Sequence, residues 1–441
     1  MSAAHRLVAI LVAVLIVAAV AVLGMRAGGA EIGLGPDGTP ASVPSATPGI
    51  APSVEPSVEA SAAPDASVPN ESEAQAILGE IEDQVIAIRG LDAADIGPAE
   101  IITREELGDE LLQLFDEQYP PEEREQDNIA LRALGLLEPD QDVAELQLDL
   151  LGDQVLGFYN KEEKRMVVVS DAGLDVEARI TYAHEYTHAL QDAAFGIASL
   201  EIDEDGEDDR GLARTALIEG DATVTMLSWM LQHLDQGEIL EYFESAEIPD
   251  TSGIPSWMVA QLAFPYDAGL NWATALAGGD PTNPDFTDLD AAYAEPPDST
   301  EQIIELEAWE SRETPEPIEV PNLAASLGEG WEEVDATPIG QATISIMLEY
   351  LGVPLPEAEE AAAGWGGDRA AIATGPDDAF AVAWRLAWDS AEDAGQFLEA
   401  YETVVDGLDF PASVTELSNG EILVAHASTD ELLARTVTAA D

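Results

Sequence analysis

His184 and His188 stand four residues apart with Glu185 directly after the first, and an α-helix is the backbone form that turns this spacing into one shared face. The spacing predicts a helix over Asp175 to Phe195, on which Ile180, Ala183, Ala189 and Leu190 let one side be buried while the other faces a cleft. In an H-E-x-x-H helix two imidazoles can bind one Zn²⁺, and the glutamate beside them can take a proton from water that zinc has made acidic. The chain has five histidines in all, so two of them framing a glutamate is a specific signal. A helix with two incidental histidines is the plain alternative.

A catalytic zinc takes three protein ligands and keeps one position open. The chain contains no cysteine, which removes disulfides, thiolate metal sites and thiol nucleophiles together. The third ligand must then be a histidine or a carboxylate, and the next histidine, His233, is distant in sequence. Glu219 is the better candidate. It sits among apolar neighbours in the helical stretch Ala213 to Ser228, where an unpaired carboxylate is costly and a metal would remove the cost. Pairing with Arg214, or capping a helix broken at Gly220, are the competing roles.

Acidic residues number 88 against 16 basic ones, a formal charge of -72. Such a surface repels phosphate backbones and anionic lipid heads, so no nucleic-acid partner is expected. It suits a high-salt setting or a highly soluble exported protein. The run Leu7 to Gly24 is uninterrupted and apolar, with Arg6 before it and Arg26 after, long enough to cross a bilayer once as a helix. Its length favours a retained anchor over a cleaved signal. The Pro, Ala and Ser-rich stretch behind it offers too little apolar surface to offset ordering entropy, and reads as a spacer.

Helical spacing recurs through Ala76 to Ile88, Leu107 to Phe115 and most of Gly211 to Leu351. Val155 to Tyr159 and Val167 to Val169 read as strands about the turn Asn160 to Lys164. Near the C-terminus, Ala370 to Thr374 and Phe380 to Trp388 read as strands, Ala391 to Val405 as a helix, and Val414 to Ala427 as a hairpin about Asn419-Gly420. The expected fold is α+β and predominantly helical, with a small β-sheet beside the histidine helix and a C-terminal α/β segment.

Beyond single residues, His184-Glu185-x-Thr187-His188-Ala189-x-x-Asp192 followed by a glutamate on a second helix resembles the gluzincin, thermolysin-like branch of the zinc metallopeptidases. Gly157-Phe158-Tyr159, Glu219-Gly220-Asp221-Ala222, Phe264-Pro265-Tyr266 and Ser299-Thr300-Glu301-Gln302 are similar to motifs of a family of exported bacterial and archaeal metallopeptidase-like proteins. The resemblance spans Leu151 to Arg369. It implies a zincin-like metallopeptidase core, His184, His188 and Glu219 as zinc ligands, and Glu185 as general base and proton shuttle. The chain departs from the resemblance at Glu305-Leu306-Glu307-Ala308-Trp309, where a His-Pro-Glu-Lys-Tyr segment is expected.

Residues 1–29 are then expected to be a transmembrane signal anchor or signal peptide, 30–72 a disordered linker, 73–355 the zincin-like domain and 356–441 a C-terminal α/β subdomain. A zinc peptidase also needs a donor for the developing oxyanion; Tyr266 is the first candidate, with His233 and Arg214 behind it. Asp192 or Asp221 is placed to orient a ligand imidazole. The acid run Glu201 to Asp209 lacks the spacing of a helix-loop-helix calcium site and reads as a solvated loop, and Trp365 as a packing residue. The function expected is hydrolysis of a peptide or protein substrate outside the cytoplasm, membrane contact being through the N-terminal helix only. A non-catalytic binding protein on the same scaffold, or a zinc hydrolase of a non-peptide amide or ester, are the alternatives.

Overall fold

The computed structural model of the chain describes residues 71–151, 157–169, 173–202, 204, 206–245 and 251–441. The apolar run Leu7 to Gly24, the Pro/Ala/Ser stretch before Asn70, and Val155 and Leu156 of the first expected strand lie outside the described residues. No described helix is long and apolar enough to cross a membrane.

The described residues open on helix α1 (Glu71–Arg89), then strand β1 (Glu100–Ile102) and helices α2 (Arg104–Gln118), α3 (Pro121–Ala133) and α4 (Val143–Leu151). The hairpin strands β2 (Gly157–Asn160) and β3 (Arg165–Val169) lead into α5 (Val176–Phe195), α6 (Asp208–His233), α7 (Gln236–Ser245) and α8 (Ser256–Leu276). Four short helices follow: α9 (Thr287–Ala294), α10 (Glu301–Ile304), α11 (Leu306–Ser311) and α12 (Leu323–Leu327). The remainder is β4 (Glu332–Thr337), α13 (Gly340–Tyr350), α14 (Leu355–Ala362), β5 (Trp365–Gly375), β6 (Ala379–Trp388), α15 (Ala391–Gly407), β7 (Ala412–Glu416), β8 (Ile422–Ala427) and α16 (Asp430–Ala440). The fold is α+β and mostly helical, as the periodicity predicts.

Three strands form a small sheet in the order β1-β3-β2, with β1 parallel and β2 antiparallel to β3, and β2 packs on α5. The second sheet, β4-β5-β6-β8-β7, is antiparallel throughout. Its edge strand β4 comes from a stretch whose sequence reads as helical, and β5 begins five residues before the expected Ala370. A strand whose neighbours are supplied by distant segments carries little local signal, and the three-residue β1 escapes notice for the same reason, whereas α3 escapes because its charged residues leave only a weak apolar period.

Asp368 ties this sheet to the helices. Its carboxylate accepts the backbone N–H groups of Ile339 (2.9 Å) and Gly340 (3.0 Å) and the indole N–H groups of Trp365 (2.9 Å) and Trp384 (2.7 Å). Trp365 is thus a buried packing residue with a polar duty as well. His426 is a second interior tie. Its Nδ1 donates to the carbonyl of Ala133 at 2.9 Å, and its Nε2 stands 3.0 Å from the Tyr401 hydroxyl, which can donate to it when the ring is neutral.

Burial lowers the His426 pKa from 6.5 to about 4, the bond to Ala133 opposing. Between those values the unfolded chain binds a proton that the folded chain refuses, so stability falls as pH drops through this window and is untouched above it. His426→Gln lacks this loss. The stability gap between wild type and variant, followed by urea denaturation, is expected to shrink by roughly 3 kcal/mol from pH 7 to pH 4. A gap independent of pH would contradict a neutral buried imidazole.

Candidate metal centre

Asp175 starts α5 by accepting the Ala178 N–H on its side chain at 2.9 Å, and Gly196 ends it in the left-handed region at φ 69°. Between them every residue from Ile180 to Gln191 is buried, so this helix is not amphipathic but central. α6 runs unbroken for 26 residues through Gly220, which rules out a helix broken there. Gly220 instead permits contact. A Cβ on it would stand 2.3 Å from the carbonyl oxygen of Gly269 in α8, and a Cβ on Gly269 would meet the Ala216 carbonyl at 2.5 Å. α6 and α8 therefore touch backbone to backbone one residue beyond Glu219, and this crossing sets Tyr266, one turn earlier in α8, near the histidines.

Here the expected ligands converge. His184 Nε2 lies 3.1 Å from Glu219 Oε2, His188 Nε2 lies 3.0 Å from His184 Nε2, and His188 Nε2 lies 3.5 Å from Glu219 Oε2. Donors bound at zinc distances around a tetrahedral ion stand about 3.3 Å apart, so the spacing matches that of a filled site. Each of the three side chains is about 1% exposed. Glu219 Oε1 and His184 Nδ1 have no hydrogen-bond partner, and a buried carboxylate with an orphaned oxygen is the feature a cation would satisfy. Among the described residues no other group of three or more His, Asp or Glu side chains closes up this far.

The charges agree. Burial opposes ionisation of Glu219, but the two imidazoles outweigh it and hold the carboxyl below its usual range. Burial works to lower the His188 pKa, and the Glu219 carboxylate overcomes it and raises the ring to about 9; His184, where burial prevails, falls to about 4. The cluster is built to hold one positive charge beside Glu219, which an imidazolium supplies when no metal does. Glu185, also buried, takes the main-chain N–H of Tyr159 on Oε2 at 3.0 Å. Burial, with Glu219 adding to it, pushes its carboxyl up to about 8 against the pull of His188 and that N–H.

The other expected residues divide. The Tyr266 ring stacks on His184 with centroids 6.3 Å apart, so the first oxyanion candidate is at the centre. His233 is not, since 14 residues along α6 carry it about 21 Å from Glu219, where it stacks on Trp229. Arg214 turns away to the carbonyls of Leu200 (2.7 Å) and Pro297 (3.3 Å) and to Asp298 (3.3 Å), so it neither pairs with Glu219 nor joins the His184–His188–Glu219 cluster. Asp192 orients no imidazole but accepts the Tyr159 hydroxyl at 3.0 Å. Asp221 reaches His188 only through Gln191, a residue the sequence did not single out although it lies on the same helix face, three positions on.

One further expectation changes. Asp208 and Asp209 are not part of a solvated loop but enter α6 and are buried, Asp209 accepting the backbone N–H of Thr300 at 3.1 Å. Glu201 and Glu204 of the same acid run are exposed. The segment Glu305 to Trp309 leads into α11, where Trp309 packs edge-on against Trp272 at 5.0 Å.

A family profile described as a domain of unknown function (DUF8575) matches residues 327–433, from the end of α12 through the five-stranded sheet into α16. The candidate metal centre lies outside that match. No curated protein and no solved structure matches the chain.

Proposed function

We propose that the chain is a zinc-dependent peptidase acting on a peptide or protein substrate outside the cytoplasm. The supporting observation is the meeting of His184, His188 and Glu219 from two packed helices with the Glu185 carboxyl beside them. Two imidazoles and a carboxylate are a ligand set of catalytic zinc, the more so in a chain without thiolates. Zinc held there supplies a Lewis acid that polarises a carbonyl and makes water nucleophilic near neutral pH.

The chain's own residues do the rest. Glu185, steadied by the Tyr159 N–H, would in its ionised form, which a cation at the neighbouring ligands favours, take a proton from the attacking water and return it to the leaving amine. Tyr266, beside His184, is the candidate to steady the developing oxyanion. An extracytoplasmic setting rests on the apolar run Leu7 to Gly24, which would leave the enzyme as a single-pass membrane protein, or as a secreted one if cleaved.

One observation favours a second reading. The three ligands and Glu185 are all about 1% exposed, so a peptide has little direct access to them, and a metal that substrate does not reach serves only to hold the structure together. The two readings part at Glu185→Gln. If the site is catalytic, the variant keeps one zinc per chain while cleavage of a peptide library falls by about 10²–10⁴-fold. Cleavage at the wild-type rate would refute the role of Glu185. A zinc-loaded wild type that cuts no peptide at any salt or pH would leave the structural reading.

A further inference from the structure

Gln191 makes three hydrogen bonds, and together they leave one orientation for its amide. The nitrogen Nε2 donates to the main-chain carbonyl of Ile218 at 3.0 Å and to Asp221 Oδ2 at 3.0 Å. Neither offers a proton: one is a carbonyl, and the other is an oxygen of the Asp221 carboxylate, which accepts from Arg89, whose Nε lies 2.8 Å from Oδ1 and Nη2 3.1 Å from Oδ2. The Tyr293 hydroxyl also donates to Oδ2, at 2.7 Å. Reversing the amide would set its oxygen against two acceptors. The oxygen Oε1 therefore faces His188, and at 2.8 Å from Nδ1 it requires a proton on that nitrogen.

We propose that Gln191 is a positioning residue that keeps Nδ1 of His188 protonated, so that Nε2 is the only ring atom this histidine can offer a metal. The conclusion holds whether the ring is neutral or charged, because Nδ1 carries a proton in both states. Asp221 and Arg89 act one step further out by fixing which way the amide points. The consequence for zinc rests on the metal centre proposed above, whereas the position of the proton does not. His184 has no equivalent partner, since its Nδ1 is unbonded.

The test uses the full chain labelled with ¹⁵N-histidine, stripped of metal by a chelator, at a pH high enough for neutral rings. His188, assigned by its loss in His188→Gln, is expected to show a protonated Nδ1 and a bare Nε2. Gln191→Leu removes the acceptor and should give a mixture of tautomers. Gln191→Glu keeps an acceptor for the ring and should keep Nδ1–H, although it sets a carboxylate against Asp221; this separates the tautomer from mere loss of packing. Zinc dissociation constants from chelator competition are expected to rise about 10–100-fold in Gln191→Leu.

A bare Nδ1 in the wild type overturns the proposal, as does a Gln191→Leu constant within twofold of the wild type. If Gln191→Leu does not fold, the wild-type spectrum decides alone. If the wild type binds no zinc, the metal centre fails, and the spectrum still decides where the proton sits.

Discussion

Arg89→Met is expected to destabilise the folded chain by about 3–5 kcal/mol, the penalty for leaving a buried charge without its partner. Arg89 is 2% exposed at the end of α1, and its guanidinium binds both oxygens of Asp221 and, at 2.5 Å, Asp290. It lies over the Phe286 ring at 4.4 Å, so methionine would recover part of the packing and none of the charge. Asp221, fully buried, would keep only the Tyr293 hydroxyl and the Gln191 amide.

Urea is the suitable denaturant because it leaves ionic strength alone. Added salt should not rescue the variant, since water and ions do not reach this pair. Arg89→Met combined with Asp221→Asn should recover much of the loss, because removing both charges of a buried pair is far cheaper than removing one. A loss under 1 kcal/mol for the single variant would mean that the hub carries no net charge-pairing energy.

Glu219→Gln is expected to lower bound zinc from one per chain to nearly none while the fold survives. The carboxamide is close in size to the carboxylate but removes the counter-charge of the His188 imidazolium, so the metal-free variant should be less stable than the metal-free wild type while that ring is charged and come within about 1 kcal/mol of it only above about pH 9, where the ring is neutral. Zinc separates them. At a free concentration a hundred times its dissociation constant it stabilises the wild type by about 2.7 kcal/mol, and the variant should show no such shift. Metal content after dialysis and melts with and without zinc would check both. A full equivalent of zinc on Glu219→Gln would remove Glu219 from the ligand set and with it the proposed peptidase centre.

Both predictions concern the same few turns of helix, and these were unequally visible beforehand. The His184 to His188 spacing is a property of one helix, so periodicity exposes it without reference to the remainder of the fold. Glu219 could be singled out because a carboxylate among apolar neighbours asks for a counter-charge and no cysteine competes for the task. The Tyr266 ring lies beside His184, whereas His233 and Arg214, equally able in chemistry, point elsewhere. Reach along a helix excludes the first. For Arg214 only the partners it finds across the chain could decide, and these are the carbonyls of Leu200 and Pro297.

Local sequence determined most of the helices, the hairpin β2–β3, the overall α+β character and the residue types at the centre, because a period of 3.6 or 2 and a short turn are written in neighbouring residues. Tertiary structure alone decided that Gly220 and Gly269 bring α6 against α8, that β4 joins the second sheet, and that Arg89, Asp221 and Gln191 stand behind His188. The residues of that relay are separated by up to 132 positions, from Arg89 to Asp221. A hydrogen bond across such a distance is set by how whole helices pack and by the need to pair every buried charge, and neither condition leaves a mark in a window of sequence.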